Sequence, residues 1–325
     1  MSLQRWIPTP GPGRITLALL AIVPAVMAYP WRSPRDYWLL GIAAAVVIVL
    51  FGCWRGLYFT TLLRRRLAIL GRGDAAAPES ATATTALLRV EAPGTDPDVL
   101  PLLASYLDRY GIRADKIRIT SRGNAADASR RATWIGITIS ATDNLAALRA
   151  RSERIPLHET ARVAARRLAD HLRELGWDVA GVAPDDVPRL LTSNARERWS
   201  AVHRGASDYL AAYQIQVDGG LAETLESIRA HPARETCTAL EIAGDATRHT
   251  VAAACAFLTD APPEPTAPPA GLTAQRGNHR PALEALDLLS TRRLDGHVDA
   301  PAGLLAELDW PAVVGAAPVP ETART

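Results

Sequence analysis

Two runs without a single charged side chain, residues 15–31 (ITLALLAIVPAVMAYPW) and 37–54 (YWLLGIAAAVVIVLFGCW), open this 325-residue chain. Each is close to the ~20 residues that cross a hydrocarbon core of ~30 Å, so each predicts a membrane-spanning helix. Only residues 32–36 (RSPRD) separate them, too few for anything but a tight turn, and the two helices are expected to return on one another as a hairpin. Tyr29, Trp31, Tyr37 and Trp38 flank that turn, while Trp54, Tyr58 and Phe59 mark the other boundary, as an interfacial aromatic belt requires. Gly41 and Ala45 share a helix face, and residues 52–56 (GCWRG) form a GxxxG pattern; close packing of the hairpin on itself and contact with another subunit both explain such small residues.

The basic residues orient the hairpin. Arg5 and Arg14 precede the first run, and Arg55, Arg64, Arg65, Arg66 and Arg72 follow the second, whereas the turn carries Arg32 and Arg35 offset by Asp36. The positive-inside rule then places both termini in the cytoplasm of a plasma-membrane protein. A cleaved signal peptide is the rival reading, with Val26-Met27-Ala28 as its small-residue site; Pro24, Trp31 and the immediate second run favour the hairpin. The formal charge of +2 conceals a division: residues 1–72 hold nine arginines against Asp36, and the remainder holds 27 basic and 33 acidic side chains. A basic collar beside a mildly acidic domain argues against nucleic acid, which needs a basic stripe on the soluble part.

Residues 73–85 (GDAAAPESATATT) have no apolar period and are expected to be a linker between the anchor, residues 1–72, and a cytoplasmic domain over 86–260. Strands are expected near 86–92, 115–121, 132–140 and 177–183, with helices over 97–110 and 157–175. That β-α-β-β-α-β order is the one found in ferredoxin-like folds. A second β-α-β-β round follows, with strands at 208–217, 235–243 and 248–258 and a helix at 221–231, so the fold class is α+β, one mixed sheet with helices on a face and an imperfect duplication within it. The first helix has Asp96 at its N-cap, Pro97 in its first turn, and Val99, Leu103, Tyr106, Leu107 and Tyr110 on one face before Gly111 stops it. In the second, Ala161, Ala164, Ala165, Leu168, Leu172 and Leu175 face inward, and Arg162, Arg166 and Arg173 face solvent. Residues 261–310 read as a proline-rich connection and a docking segment with a short helix at 280–293, and residues 311–325 as a loose tail.

Chemistry is sparse. Asp96-Pro97-Asp98 spells D-x-D, a pattern by which glycosyltransferases hold a divalent ion, but both aspartates also suit a helix start, and the structural reading is preferred. His158-Glu159 and His171 are too far apart on a helix to chelate one ion, and no zincin, nucleophile-elbow, Walker or dinucleotide motif occurs. The sequence therefore nominates no catalytic, cofactor-binding or metal-binding residue, and no cofactor. Residues 276–280 (RGNHR) read as an exposed basic loop or a contact with an acidic neighbour. Trp134 and Trp177 read as core anchors, and Trp199 as core or interface. Lys116, the only lysine, suggests no function. Cys53 reads as a small hydrophobe, and Cys237 and Cys255 lie on two strands where a single bridge is open.

The run of segments resembles EccE, a membrane component of the mycobacterial type VII (ESX) secretion machinery, and most of all the short paralogue of the iron- and siderophore-linked ESX system. The matching stretches are residues 56–69 (GLYFTTLLRRRLAI), 106–120 (YLDRYGIRADKIRIT), 144–156 (NLAALRARSERIP), 166–177 (RRLADHLRELGW), 280–296 (RPALEALDLLSTRRLDG) and, shared more widely among paralogues, 196–213 (RERWSAVHRGASDYLAAY). The resemblance covers residues 15–297; the tail after Asp299 has no counterpart, and the longer C-terminal region of larger paralogues is absent. It implies a non-enzymatic structural subunit that works with EccB, EccC and EccD, its hairpin packed against EccD and EccC serving as the ATPase. The alternative from another class is a membrane-anchored glycosyltransferase-like enzyme using Asp96 and Asp98. A binding module for cytoplasmic chaperones or secreted substrates is not separable from a scaffold by sequence.

Overall fold

The computed structural model describes residues 12–27, 29, 33–51, 53–54, 57–71, 82–92, 99–124, 127–151, 155–192, 194–205, 207–245, 247–263, 270–308 and 310. The chain divides into two units, residues 1–73 and 74–325.

In the first unit, α1 (Pro12–Met27) and α2 (Pro34–Phe51) are apolar helices in contact with one another. α2 is long and apolar enough to cross a membrane; the apolar part of α1, Ile15–Met27, is shorter. Both stop short of the expected limits at residues 31 and 54. After α2, β1 (Cys53–Trp54) pairs with β2 (Leu57–Tyr58), so the backbone at Cys53 forms a ladder bond and not another helical turn. Among the described side chains of the two helices, Ala18, Ala25 and Ala43 are the buried hydrophobics, and such short side chains let two backbones approach. Gly41 and Ala45 are exposed, contrary to a role in this packing, and Gly52 and Gly56 lie outside the described residues. The arginine cluster Arg64–66, expected only as a flank, is carried on a third helix, α3 (Phe59–Gly71), rich in the helix-favouring Leu and Arg.

The second unit begins with β3 (Ala83–Ala92), which starts inside the expected linker because Ala83 and Thr84 already pair with Ser140 and Ile139. There follow α4 (Val99–Ser105), β4 (Asp108–Arg109), β5 (Ile112–Asn124), β6 (Asp127–Ser140), α5 (Leu145–Arg151), α6 (Leu157–Glu174) and β7 (Asp178–Gly181). Next come β8 (Arg196–Glu197), β9 (Val202–Arg204), β10 (Asp208–Ile215), α7 (Leu221–Ala230), β11 (Glu235–Gly244) and β12 (His249–Thr259). The chain closes with β13 (Leu272–Ala274), α8 (His279–Leu286), β14 (Val298–Asp299) and α9 (Leu304–Glu307).

The strands form one sheet in the order β7-β3-β6-β5-β11-β12-β10-β9-β8, antiparallel at every pairing and so not the mixed sheet expected. The reason is local: the hairpin of β5 and β6 inserts β6 between β3 and β5, which would otherwise be parallel neighbours. β11, β12 and β10 repeat that arrangement outward, so the second strands of the two rounds, β5 and β11, meet at the centre.

The expected helix over 97–110 ends at Ser105. Asp108 and Arg109 pair with Arg113 and Ile112 around Tyr110 and Gly111, whose φ angles of 56° and 69° suit a two-residue hairpin turn. Tyr110, expected on the buried face, is consequently exposed, while Tyr106 and Leu107 remain buried. Helix α6 runs as anticipated: Glu159 occupies its first turn and Arg173 its last, each sign matching the macrodipole. Gly176, at φ 80°, lets the chain turn so that the Gly176 and Trp177 amides donate to the Arg173 and Leu172 carbonyls.

Both faces of the sheet are covered. On one, Ile117, Ile119, Ile137, Leu240 and Ile242 pack with Leu100 and Leu103 of α4, Leu168 and Leu172 of α6, and Leu225 and Ile228 of α7. Burial of each such side chain contributes about 1.5–3 kcal/mol. On the other, Leu210, Cys237, Ala239 and Ala252 meet Leu283 and Leu286 of α8 and Leu294, and Leu87 and Trp134 meet Val187 and Leu288. Trp177 is also buried, in the helix-side core. The C-terminal segment then changes face: β14 pairs with β12, α9 contacts α4, and Leu308 and Trp310 enter the helix-side core.

Candidate functional site

Among the described residues, the charged side chains sunk in the middle of the sheet meet where β5 joins β11. Residues of β5 alternate: Ile117 and Ile119 face the helices, and Lys116, Arg118 and Thr120 face the other way. On β11, Glu241 lies directly across from Arg118, between Leu240 and Ile242, which face the helices. Lys116 is 1% exposed and Glu241 fully buried. The Arg118 Nε donates to Glu241 Oε2 at 2.7 Å, its Nη2 lies 2.6 Å from the same oxygen, and the Lys116 ammonium lies 3.3 Å from it.

The rest of the site comes from the segment after α8. Arg118 donates through Nη1 to the Ala285 and Asp287 carbonyls and through Nη2 to the Arg292 carbonyl at 2.8 Å; Lys116 donates to that carbonyl as well. The second oxygen of Glu241 accepts the Leu294 amide at 2.9 Å and pairs with His297 Nε2 at 3.0 Å, while His297 Nδ1 meets the Thr250 hydroxyl. Helix α8 stops at Leu286, short of the expected 293, and residues 287–297 are non-helical. That difference has a physical reason: carbonyls closed into helical hydrogen bonds would not be free to turn toward Arg118.

Burial favours the neutral form of Glu241, but Arg118, His297, Lys116 and the Leu294 amide outweigh it and hold the carboxyl far below the usual range. Burial, reinforced by Arg118, lowers the Lys116 ammonium to about 7. Both Glu241 oxygens and the guanidinium are occupied by partners within the fold. A buried ion pair roughly breaks even against its desolvation, so the apolar core supplies the stability and this cluster selects where residues 285–297 must lie. The arrangement can clamp a segment; it presents no unoccupied group to a substrate.

The sequence did not single out this cluster. Its signal was a charge flanked by apolar neighbours on each of two strands: Lys116 and Arg118 around Ile117, and Glu241 between Leu240 and Ile242. Asp96 and Asp98 lie outside the described residues. His158 and His171 are separate, one beside the Thr84 hydroxyl at 2.8 Å and the other near the Tyr106 hydroxyl. Among the described residues, no group of three His, Cys, Asp or Glu side chains is placed to hold a metal ion. Residues 276–280, expected as an exposed basic loop or a contact with an acidic neighbour, are buried at their end: His279 is inaccessible, and Arg280 donates to the Ala195 carbonyl and approaches the acidic Glu284. Trp199 is half-buried, its carbonyl accepting from Gly277. Cys237 and Cys255 are free thiols on opposite faces, because Cys255 pairs with Thr238 and Cys237 with Ala256.

The sequence model of the EccE family, described as a type VII ESX secretion system translocon protein, matches residues 127–215. Two relatives named ESX-3 secretion system protein EccE3, from Mycobacterium tuberculosis strains CDC 1551 / Oshkosh and ATCC 25618 / H37Rv, are each 60% identical over 308 residues, 93% of this chain and 92% of theirs. A third of that name, from Mycolicibacterium smegmatis, is 47% identical over 285 residues, 87% of this chain and 90% of its own. With that identity sustained across both units, the chain belongs to the EccE family of type VII (ESX) secretion proteins.

Proposed function

We propose that this chain is a non-enzymatic structural subunit of the ESX-3 secretion complex of the inner membrane, supporting its assembly and protein export together with EccB, EccC and EccD. One observation carries the reading beyond the names of the relatives. The charged groups of the sheet centre, Lys116, Arg118 and Glu241, are buried and engaged with backbone and with one another, the use expected of a rigid brace. EccC, as ATPase, supplies the energy in this reading. The chain needs no cofactor.

Under the same proposal α1 and α2 form a transmembrane hairpin with both termini in the cytoplasm, since the arginines flank its open end. The β7-β3-β6-β5 group then serves as a ferredoxin-like unit, and residues 73–82 as the tether between anchor and domain. Deleting the chain is expected to abolish export and assembly, and the full chain is expected to bind EccD directly. Undiminished export in the deletion strain overturns the scaffold, and a reporter after Thr325 found outside the membrane overturns the topology.

A further inference from the structure

We infer that the groove between α6 and the Tyr110 turn docks a peptide segment of a partner protein, one that offers a bulky apolar side chain next to carboxylates. The groove is a cavity of about 250 Å³. Its floor is Ile112, Ile137 and Ile139 of the sheet, and its wall is Val163 and Ala164 of α6. Val163 is exposed on a helix whose other aliphatic side chains are mostly covered, whereas the floor isoleucines are at most 8% exposed, so the apolar surface the groove offers to solvent lies on its α6 wall. Its size is that of one or two large side chains, and its concave shape suits a protruding residue better than a flat lipid surface.

The rim is cationic. The Arg109 guanidinium lies 4.7 Å from the Tyr106 ring centre and 5.3 Å from that of Tyr110, and the Arg167 guanidinium lies 4.7 Å from that of Tyr110. Among the described residues neither guanidinium is paired with a carboxylate; Arg109 donates only to the Ser105 hydroxyl. Among the described residues, Glu159 is the one acidic side chain of the lining. Two cations prepositioned on aromatic faces above an apolar hollow complement a motif with an anionic flank and an aliphatic or aromatic anchor.

Tyr110 supplies an independent observation. Among the described residues it is the one non-glycine held at positive φ (56°), and it is 55% exposed. A two-residue turn of this type favours Asn before Gly, and a bulky residue there is strained. Local strain on a solvent-facing aromatic that stacks both rim cations is what a recognition surface retains and what packing does not require.

The inference rests on the scaffold reading only in supposing a protein partner, and the test separates the two. A displayed library of random short peptides is selected against the full-length chain in detergent, and the enriched peptides are resynthesised with a fluorophore. Enrichment of Asp or Glu beside Leu, Ile, Phe or Trp is expected, with affinity falling about tenfold or more in Val163→Arg and in Arg167→Glu. Tyr110→Asn keeps the turn and is expected to weaken binding while raising the melting temperature, whereas a merely structural Tyr110 would move both downward. Selection of no such motif, equal binding to Val163→Arg, or binding of anionic-lipid vesicles that Arg167→Glu abolishes in place of peptide overturns the proposal. Export in a strain carrying Val163→Arg reports on the groove, while export in the deletion strain reports on the scaffold.

Discussion

Arg118 on β5 and Glu241 on β11 are direct cross-strand partners, joined through the Arg118 Nε at 2.7 Å, and their pairing sits on the seam between the two β-α-β-β rounds. Antiparallel pairing of two equivalent strands joins one round to the other, and the residues flanking Arg118 and Glu241 on the helix side are aliphatic. The seam also receives residues 285–297, so three stretches of chain distant in sequence are fixed by one carboxylate and one guanidinium.

Replacing Glu241 with Gln is expected to be among the most damaging single changes in the domain. It leaves Arg118 buried without its counter-charge, a loss of about 3–5 kcal/mol. Urea unfolding of the full chain in detergent measures it, and a change near zero would mean the cluster is not a structural element.

Lys116 carries a pH signature. Its folded pKa is lowered from 10.5 to about 7, so between those values the unfolded chain holds a proton that the native chain has released. Stability therefore rises with pH across that window, and the cost of burying the ammonium is felt fully below it. Lys116→Met is expected to stabilise the domain below pH 7, by an amount on the order of a few kcal/mol, with the advantage shrinking as pH approaches 10.5. Denaturant midpoints across that range test the slope.

The two thiols are expected to be silent in the native protein. Burial pushes Cys237 up to about 12 and raises Cys255 as well, and they point to opposite faces of adjacent strands. Ellman's reagent should modify neither until the domain unfolds, and mild oxidation should form no intramolecular bridge between them.

Trp310 ends the described chain inside the helix-side core. Trp310→Ala is expected to cost about 3 kcal/mol or more and to loosen the segment from β14 onward, read as earlier proteolysis within 298–310. Unchanged proteolysis would place the anchoring elsewhere.

Asp96→Asn together with Asp98→Asn keeps side chains suited to a helix start and removes both carboxylates. Export is expected to continue at the unmodified level. Its loss with folding intact would favour the enzyme reading over the scaffold.

What the sequence determined by itself was whatever depends on near neighbours. The apolar runs set α1 and α2, the 3.6-residue spacing of Ala161, Ala165, Leu168 and Leu172 set α6, and the strand character of residues 132–140 set the second half of β6. Burial of Trp134 and Trp177 was legible in the same way. Tertiary structure decided the rest. Whether residues 106–111 continue a helix or turn into a hairpin was settled by the pairing of Asp108 and Arg109 with β5, and local period favoured the wrong outcome. Lys116, Arg118 and Glu241 looked like ordinary strand charges because a charge is buried only when a distant segment covers it. Here the cover is residues 285–297, some 170 positions from Arg118 along the chain, and no local pattern carries that information.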